Sequence, residues 1–476
     1  MIPFTVALLQ VGYVRPASPL YEDCPGRQGS CSRPGTTLAP QAISEGRWSG
    51  ARGQGPEEGA MAGSNPIRRG ICMALSAGIL GLAPMLLLAA CTHSATPTPP
   101  PPAITFAFPD DDLGYYEALA QAFQADHPNL SIRLLPKRPA ALAALGPADA
   151  DAFVVSLPIE PLLARGVLLD LTGQLSAGDP PLKDDLFPYA RDAVSHDGHI
   201  WALPTGVDPV LLFYNRTLFD SRGIPYPDSS WDWDGFLHTA QALRDASQGI
   251  YGYAAALWRQ EPWLFILQHG GRLVDNWQHP TRLALDDPQT IEAMQWYADL
   301  MLRLDVAPSP QEARQAFGGP QGTYGGVLAG KIGMWAGHLS SRMALASQAT
   351  FDWGVTVLPH DQQAATLANI EAVAISPQTQ RLQEAWEWIR FLSAQVPLRM
   401  APARRSLAAS PAFEQKVGHE VASATRAALE QACVLPHEPA ALVRQLDSAW
   451  AQALDDILNA RWAPGEALRQ AQQKAK

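Results

Sequence analysis

Apolar positions along the chain fall into two regimes. From Ile71 to Ala90 they form one continuous stretch of apolar or small residues, preceded by Arg68-Arg69. From residue 103 onward short β-type runs alternate with amphipathic ones. Ile104–Phe108, Leu130–Leu135 and Asp151–Val155 read as strands, and Tyr115–Asp126 as an amphipathic helix ended by His127-Pro128. Ala190–Ser195 and His199–Leu203 read as two strands joined through Asp197-Gly198, with a further strand at Val210–Tyr214. Helical patterns then predominate at Trp233–Ala246, Pro262–Gly270, Gln289–Arg303 and Tyr324–Ala329. Strands return at Ile332–Ala336, Gly354–Leu358 and Val373–Ile375; Leu382–Ala394, Pro411–Gln431 and Pro439–Ala460 close the chain as helices. Strands alternating with helices predict a largely parallel, layered α/β sheet. There is no internal repeat and no heptad seam.

The first regime bears on topology. Two arginines, the apolar stretch, and small residues before a cysteine match a secretory signal. Its end, Leu88-Ala89-Ala90-Cys91, resembles the lipobox of bacterial lipoproteins, which implies that the Cys91 thiol is lipidated and becomes the new N-terminus. A transmembrane helix is the alternative, since about twenty apolar residues span a bilayer. Gly78, Gly81, Pro84 and the closing cysteine favour cleavage. A signal peptide should open a chain, so translation is expected to begin at Met61 or, failing that, Met73. Residues 1–60, rich in Gly, Pro, Arg and Ser and lacking periodicity, are then untranslated or disordered. The proline run Pro99 to Pro102 after Cys91 reads as a polyproline II stalk, making 91–102 a lipidated linker.

Composition narrows the rest. The 374 residues from Ala103 to Lys476 exceed one ordinary core, so two lobes are expected. They carry 28 basic against 41 acidic residues, a balance that excludes nucleic acid as partner. Beyond Cys91 only Cys433 remains, so the mature domain has no intrachain disulfide. No nucleophile elbow, His-Glu-x-x-His pair or phosphate loop is present. His196-Asp197-Gly198-His199 reads as an Asp-Gly turn between strands, not a metal site, and Gly318-Gly319 through Gly325-Gly326 as a flexible loop. No cofactor is expected.

Several spaced stretches together carry a family resemblance. They include Asp197-Gly198-His199-Ile200-Trp201-Ala202-Leu203-Pro204, Leu212-Phe213-Tyr214-Asn215-Arg216-Thr217-Leu218-Phe219 and Trp231-Asp232-Trp233-Asp234. Gly270-Gly271-Arg272-Leu273-Val274, Gly330-Lys331-Ile332-Gly333-Met334 and Phe351-Asp352-Trp353-Gly354 through Pro359 follow in order. The chain resembles the extracellular solute-binding proteins of ABC importers, in their sugar-binding, maltose-binding-protein-like branch. The resemblance implies an α/β, two-lobe periplasmic-binding-protein (type II) fold with a hinge and an interlobe cleft. It assigns 103–206 plus 338–396 to an N-terminal lobe and 207–337 plus 397–476 to a C-terminal lobe, crossing near Gly206, Gly337 and Val396-Pro397. It further implies a monomeric, lipid-anchored receptor outside the cytoplasmic membrane that hands a sugar to ABC permease subunits without chemistry.

A sugar site needs aromatic rings for the C–H face and carboxylates, amides or Arg for the hydroxyl rim. Against the family, Glu261-Pro262-Trp263 matches a ligand-contacting stretch, with Trp263 as the stacking ring and Trp258 close by. Asp208 and Asp110 match ligand-contacting carboxylates, although the trio Asp110-Asp111-Asp112 equally suits a helix N-terminus. Trp335 and His338 fall where the lobes join; Arg404 and Trp450 match positions near the cleft in a looser alignment, where a structural role suits each better. Trp386 and Trp388 read as core, Trp353 as packing beside its strand. Two departures stand out: Leu339 falls about where the family has a tryptophan, and Val155-Ser156-Leu157-Pro158 replaces a sugar-binding Trp and Asp. Maltodextrin itself is therefore not implied. The alternatives are a polyamine held by Asp110, Asp208 and Glu261, a phosphorylated solute held by Arg404 or Arg259, or a lipoprotein glycosidase using Asp208 and Glu261.

Overall fold

A computed structural model describes residues 103–178, 180–318, 322–436 and 439–475; the expected signal segment, Cys91 and the proline stalk lie outside them. Eight principal strands are β1 (Ala103–Pro109), β2 (Ser131–Lys137), β3 (Ala152–Ser156), β4 (Leu203–Asn215), β5 (Tyr251–Ala254), β6 (Ile332–His338), β7 (Trp353–Thr356) and β8 (Thr366–Ile375). They lie in the order β2-β1-β3-β8-β4-β6-β5, with β7 also paired to β4. The pairs β1–β2, β1–β3 and β5–β6 are parallel, as expected for strands joined by helices.

The middle of the sheet differs from the expected parallel order. β8 is antiparallel to both β3 and β4, and β4 is antiparallel to β6 and β7. β4 is the reason. Its first half pairs with β8, from Leu203↔Val373 to Pro209↔Ala368. Its second half pairs with β6, from Val210↔His338 to Tyr214↔Met334. One strand thus serves both halves of the sheet, and every one of its residues is buried. A strand covered on both faces needs an unbroken apolar run, which Val210–Tyr214 supplies.

Helices cover the sheet: α1 (Leu113–Asp126), α2 (Trp233–Leu243), α3 (Glu261–Gln268), α4 (Pro288–Leu302), α5 (Leu382–Ser393), α6 (His419–Glu430), α7 (Ala440–Leu458) and α8 (Pro464–Lys474). Trp388 of α5 is fully buried against Phe106 and Phe123, ring centroids 5.4 and 5.2 Å away, so its reading as core holds. A second apolar cluster gathers Phe236, Tyr253, Phe265, Tyr297 and Trp450. No helix among the described residues is long and apolar enough to cross a membrane.

Local departures have local causes. Ala190–Ser195 does not form a strand; Pro188 at the first helical position turns Pro188–Asp192 into a short helix. The hairpin survives in miniature as Ser195–His196 against His199–Ile200, with Asp197 at φ 51° and Gly198 at φ 80° forming the Asp-Gly turn. The helix expected over Pro411–Gln431 breaks at Gly418, whose φ of 88° no helix accommodates, into Pro411–Val417 and α6.

Candidate functional site

The antiparallel pairing of β4 and β8 sets out a polar face in an otherwise apolar sheet. Asn369 lies opposite Asp208, and Glu371 opposite Gly206. Residues directly opposite project to the same side, and so do residues two apart on one strand. Asp208, Asn369 and Glu371 therefore share a face. Gly206 keeps it open: a Cβ there would lie 3.0 Å from Met400 Sδ and 3.6 Å from Glu371 Cβ.

Neighbouring elements bring further groups to this face. His338, ending β6, donates from Nδ1 to the Asp208 carbonyl at 3.1 Å. That bond leaves Nε2 as an acceptor towards the Asn369 amide, 3.5 Å away. Trp258, on the turn after β5, is half-buried with its ring 5.7 Å from the His338 ring. Asp112 and Tyr115 arrive from the start of α1, and Arg399 forms an ion pair with Asp112. Arg342 spends its guanidinium on the carbonyls of Leu339, Leu398 and Arg399.

The two strand carboxylates differ. Asp208 is only 4 % exposed and accepts from the Ser340 amide and hydroxyl at 2.8 and 2.6 Å. It anchors the helical turn Leu339–Ser341 that follows β6, so part of its acceptor capacity is already taken up by Ser340. Glu371 is half-buried; among the described residues its carboxylate meets the Thr205 hydroxyl, at 3.4 Å. Burial pushes its carboxyl up to about 7, and the charges of Asp112 and Asp208 act in the same direction. Thr205 and Arg399 oppose them. Burial also raises Asp112, against the pull of Arg399. The Tyr115 phenol is raised by burial and by the Glu371 charge.

Four expected ligand residues lie behind this face instead. Trp263 is 2 % exposed and packs edge-on against Trp450 at 5.6 Å, so neither ring offers a face to a solute. Trp450 is fully buried, and its indole N–H donates to the Arg259 carbonyl at 2.8 Å. Glu261 is fully buried and accepts from the Tyr253 and Tyr297 hydroxyls, at 2.5 and 2.6 Å, and from the Ala256 amide. Trp335 is buried at 6.0 Å from Phe213. An apolar helix such as α3 is drawn wholly into the core, and its tryptophan goes with it.

Two others sit elsewhere. Asp110 is exposed at the first position of a short helical turn, and Asp112 is the member of its trio that enters the face. Neither caps a helix through its side chain. Arg404 is held by Asp185 at 2.7 Å, beside an open groove of about 850 Å³ whose walls include Trp386 and Arg390. Trp258, His338 and Asp208 are the expected residues that the fold brings together. Sequence reasoning missed Glu371, Asn369 and Arg399. The signal for the first two was present, as polar residues at alternate positions inside the apolar run Thr366–Ile375.

The carboxylates and amide of β4 and β8, with Trp258, Asp112 and Arg399 brought in from neighbouring turns, make a face suited to a polyhydroxylated solute. The chain belongs to the bacterial extracellular solute-binding protein family, whose pattern it matches over residues 110–395. Among particular relatives, a mannitol-binding protein of Pseudomonas aeruginosa is 26% identical over 151 residues, which take in 30% of this chain and 34% of that protein. An ABC substrate-binding protein from Listeria monocytogenes in complex with cycloalternan shares the fold at 20% identity, with a TM-score of 0.65 over 79% of this chain and 98% of its own. A sugar transporter protein from Rhizobium etli in an open conformation superimposes with a TM-score of 0.65 at 21% identity, over 78% and 98% of the two chains. Their architecture is the two-lobe binding-protein fold.

Proposed function

We propose that this protein is a lipid-anchored receptor that captures a carbohydrate between two lobes and delivers it to an ABC permease, without turnover. The observation carrying this reading is the polar face of β4 and β8: Glu371 has acceptor capacity that Thr205 alone does not fill, Asn369 lies on the same face, and Trp258 packs near His338, which meets the Asn369 amide. A carboxylate accepting two vicinal hydroxyls replaces its lost water with charge-assisted bonds. The carbohydrate named with the Listeria relative and the polyol named with the Pseudomonas relative support the same class of solute. In this reading the lobes meet near Gly206 and Gly337, and closure follows from contacts made to both. Cys91 carries the lipid, and the proline stalk holds the domain off the membrane.

An amine-bearing solute is the second reading, favoured by the three carboxylates Asp112, Asp208 and Glu371 around one ion-paired guanidinium, Arg399. A phosphorylated solute loses one of its two proposed cations, because Asp185 already holds Arg404, while Arg259 is exposed on the turn that carries Trp258. A thermal-shift screen of sugars, polyols, amines and phosphate esters, followed by calorimetry, tests these readings. Stabilisation by sugars or polyols is the expected result; a response to amines or phosphate esters alone would displace the carbohydrate reading. For the anchor, metabolic labelling with a fatty acid should mark the protein and spare a Cys91→Ala variant.

A further inference from the structure

The turn that carries Trp258 is held from below at two points. Ala256 has φ 57°, a left-handed conformation that a non-glycine residue adopts at a cost. Its amide is divided between Glu261 Oε2 at 2.5 Å and the Tyr297 hydroxyl at 2.7 Å. Three residues on, the Arg259 carbonyl accepts from Trp450. The only half-buried aromatic residue of the turn thus stands on a layer of fully buried ones, clamped by a carboxyl group.

We propose that Glu261 is a positioning residue for the solute-binding face: it holds the 255–260 turn, and hence the Trp258 wall, through the Ala256 amide. The groups facing its carboxyl are Tyr253 of β5, Tyr297 of α4 and the amides of Ala256 and Leu257, with the Ala336 amide of β6 behind Tyr253. All are neutral donors. They suit an ionised acceptor, which binds N–H and O–H about twice as strongly as a neutral one. Burial opposes that ionisation and raises the Glu261 carboxyl to about 7. The clamp therefore tightens above neutral pH and slackens below it. Trp258 is a ligand wall only under the carbohydrate reading; the clamp itself does not depend on it.

Amide hydrogen exchange on the full chain, followed by mass spectrometry and corrected for intrinsic rates, tests the clamp without a ligand. In the wild type, protection of the 255–260 segment should fall about tenfold from pH 8 to pH 6, while α5 stays constant. Glu261→Gln and Tyr297→Phe should show low protection at both values. Protection of the wild-type segment that ignores pH, or moves only in step with α5, overturns the proposal and needs no variant to fold. Calorimetry with maltotetraose and mannitol over the same range forms a second arm, in which affinity should follow protection. If exchange behaves as described and neither probe binds, the clamp stands and the carbohydrate reading loses its support. If a probe binds with an affinity that does not follow protection, the turn is clamped without positioning the solute and the proposal is overturned.

Discussion

Trp258, half-buried beside His338, is the ring proposed to cover a sugar. Trp258→Ala should therefore weaken solute binding by about 2 kcal/mol, near thirtyfold, with a small change in melting temperature, since a half-buried ring contributes little packing. Calorimetry beside a thermal melt separates the two effects. Glu371 makes a prediction with a definite sign. Its carboxyl has an ordinary value of 4.5 and here holds its proton to about 7. The folded state binds that proton more tightly, so the associated stability is full below pH 4.5 and lost as pH rises through 7. Glu371→Gln cannot lose it, and the melting temperature of the variant should gain on the wild type from pH 5 to about pH 7 and level off above that. Asp208 behaves differently, because removing it strands the Ser340 amide and hydroxyl. Asp208→Ala should cost about 1–3 kcal/mol in denaturant unfolding, whether or not solute is present.

At the scale of elements, Gly354 shows how closely strands and helices share space. It lies opposite Tyr214 on β4, and a Cβ there would fall 2.2 Å from Tyr214 Cζ. The ring is not free to retreat, since its hydroxyl donates to Glu420 of α6 at 3.2 Å. Gly354→Ala should destabilise the protein by about 3 kcal/mol, measured by chemical denaturation, at the upper end of ordinary overpacking. The same crowding explains what could be read from the sequence. Long, strongly periodic helices such as Leu382–Ser393 and Ala440–Leu458 were legible within a few residues. β5 was not: four residues, all buried, give no alternation to read. Nor was the break at Gly418, where the periodicity runs on across a residue whose backbone turns away.

For the molecule as a whole, the order of strands and helices and the two-lobe family were legible, because motifs such as Lys331-Ile332-Gly333-Met334 are local. The site was legible only in part. Glu261, Trp263 and Trp450 were matched to ligand positions, and they do lie close to the site in space. Whether a side chain stands in the face or one layer beneath it depends on how an apolar helix such as α3 rolls into the core, which spacing along the chain does not encode. The antiparallel middle of the sheet was likewise hidden, since it arises from pairing between distant strands. The hinge proposed near Gly206 makes its own prediction. Small-angle scattering should give a smaller radius of gyration with bound solute than without, and a curve unchanged at saturating solute would remove the closing motion.

The shared strand has a bearing on biogenesis. The Thr205 hydroxyl is shared between the carbonyl and the carboxylate of Glu371, 166 residues further along the chain. Until that later stretch emerges from the ribosome, the earlier strand has no mate on that side. Such long-separation pairing is slow to form. The nascent chain therefore stays open along that edge until most of it has been made.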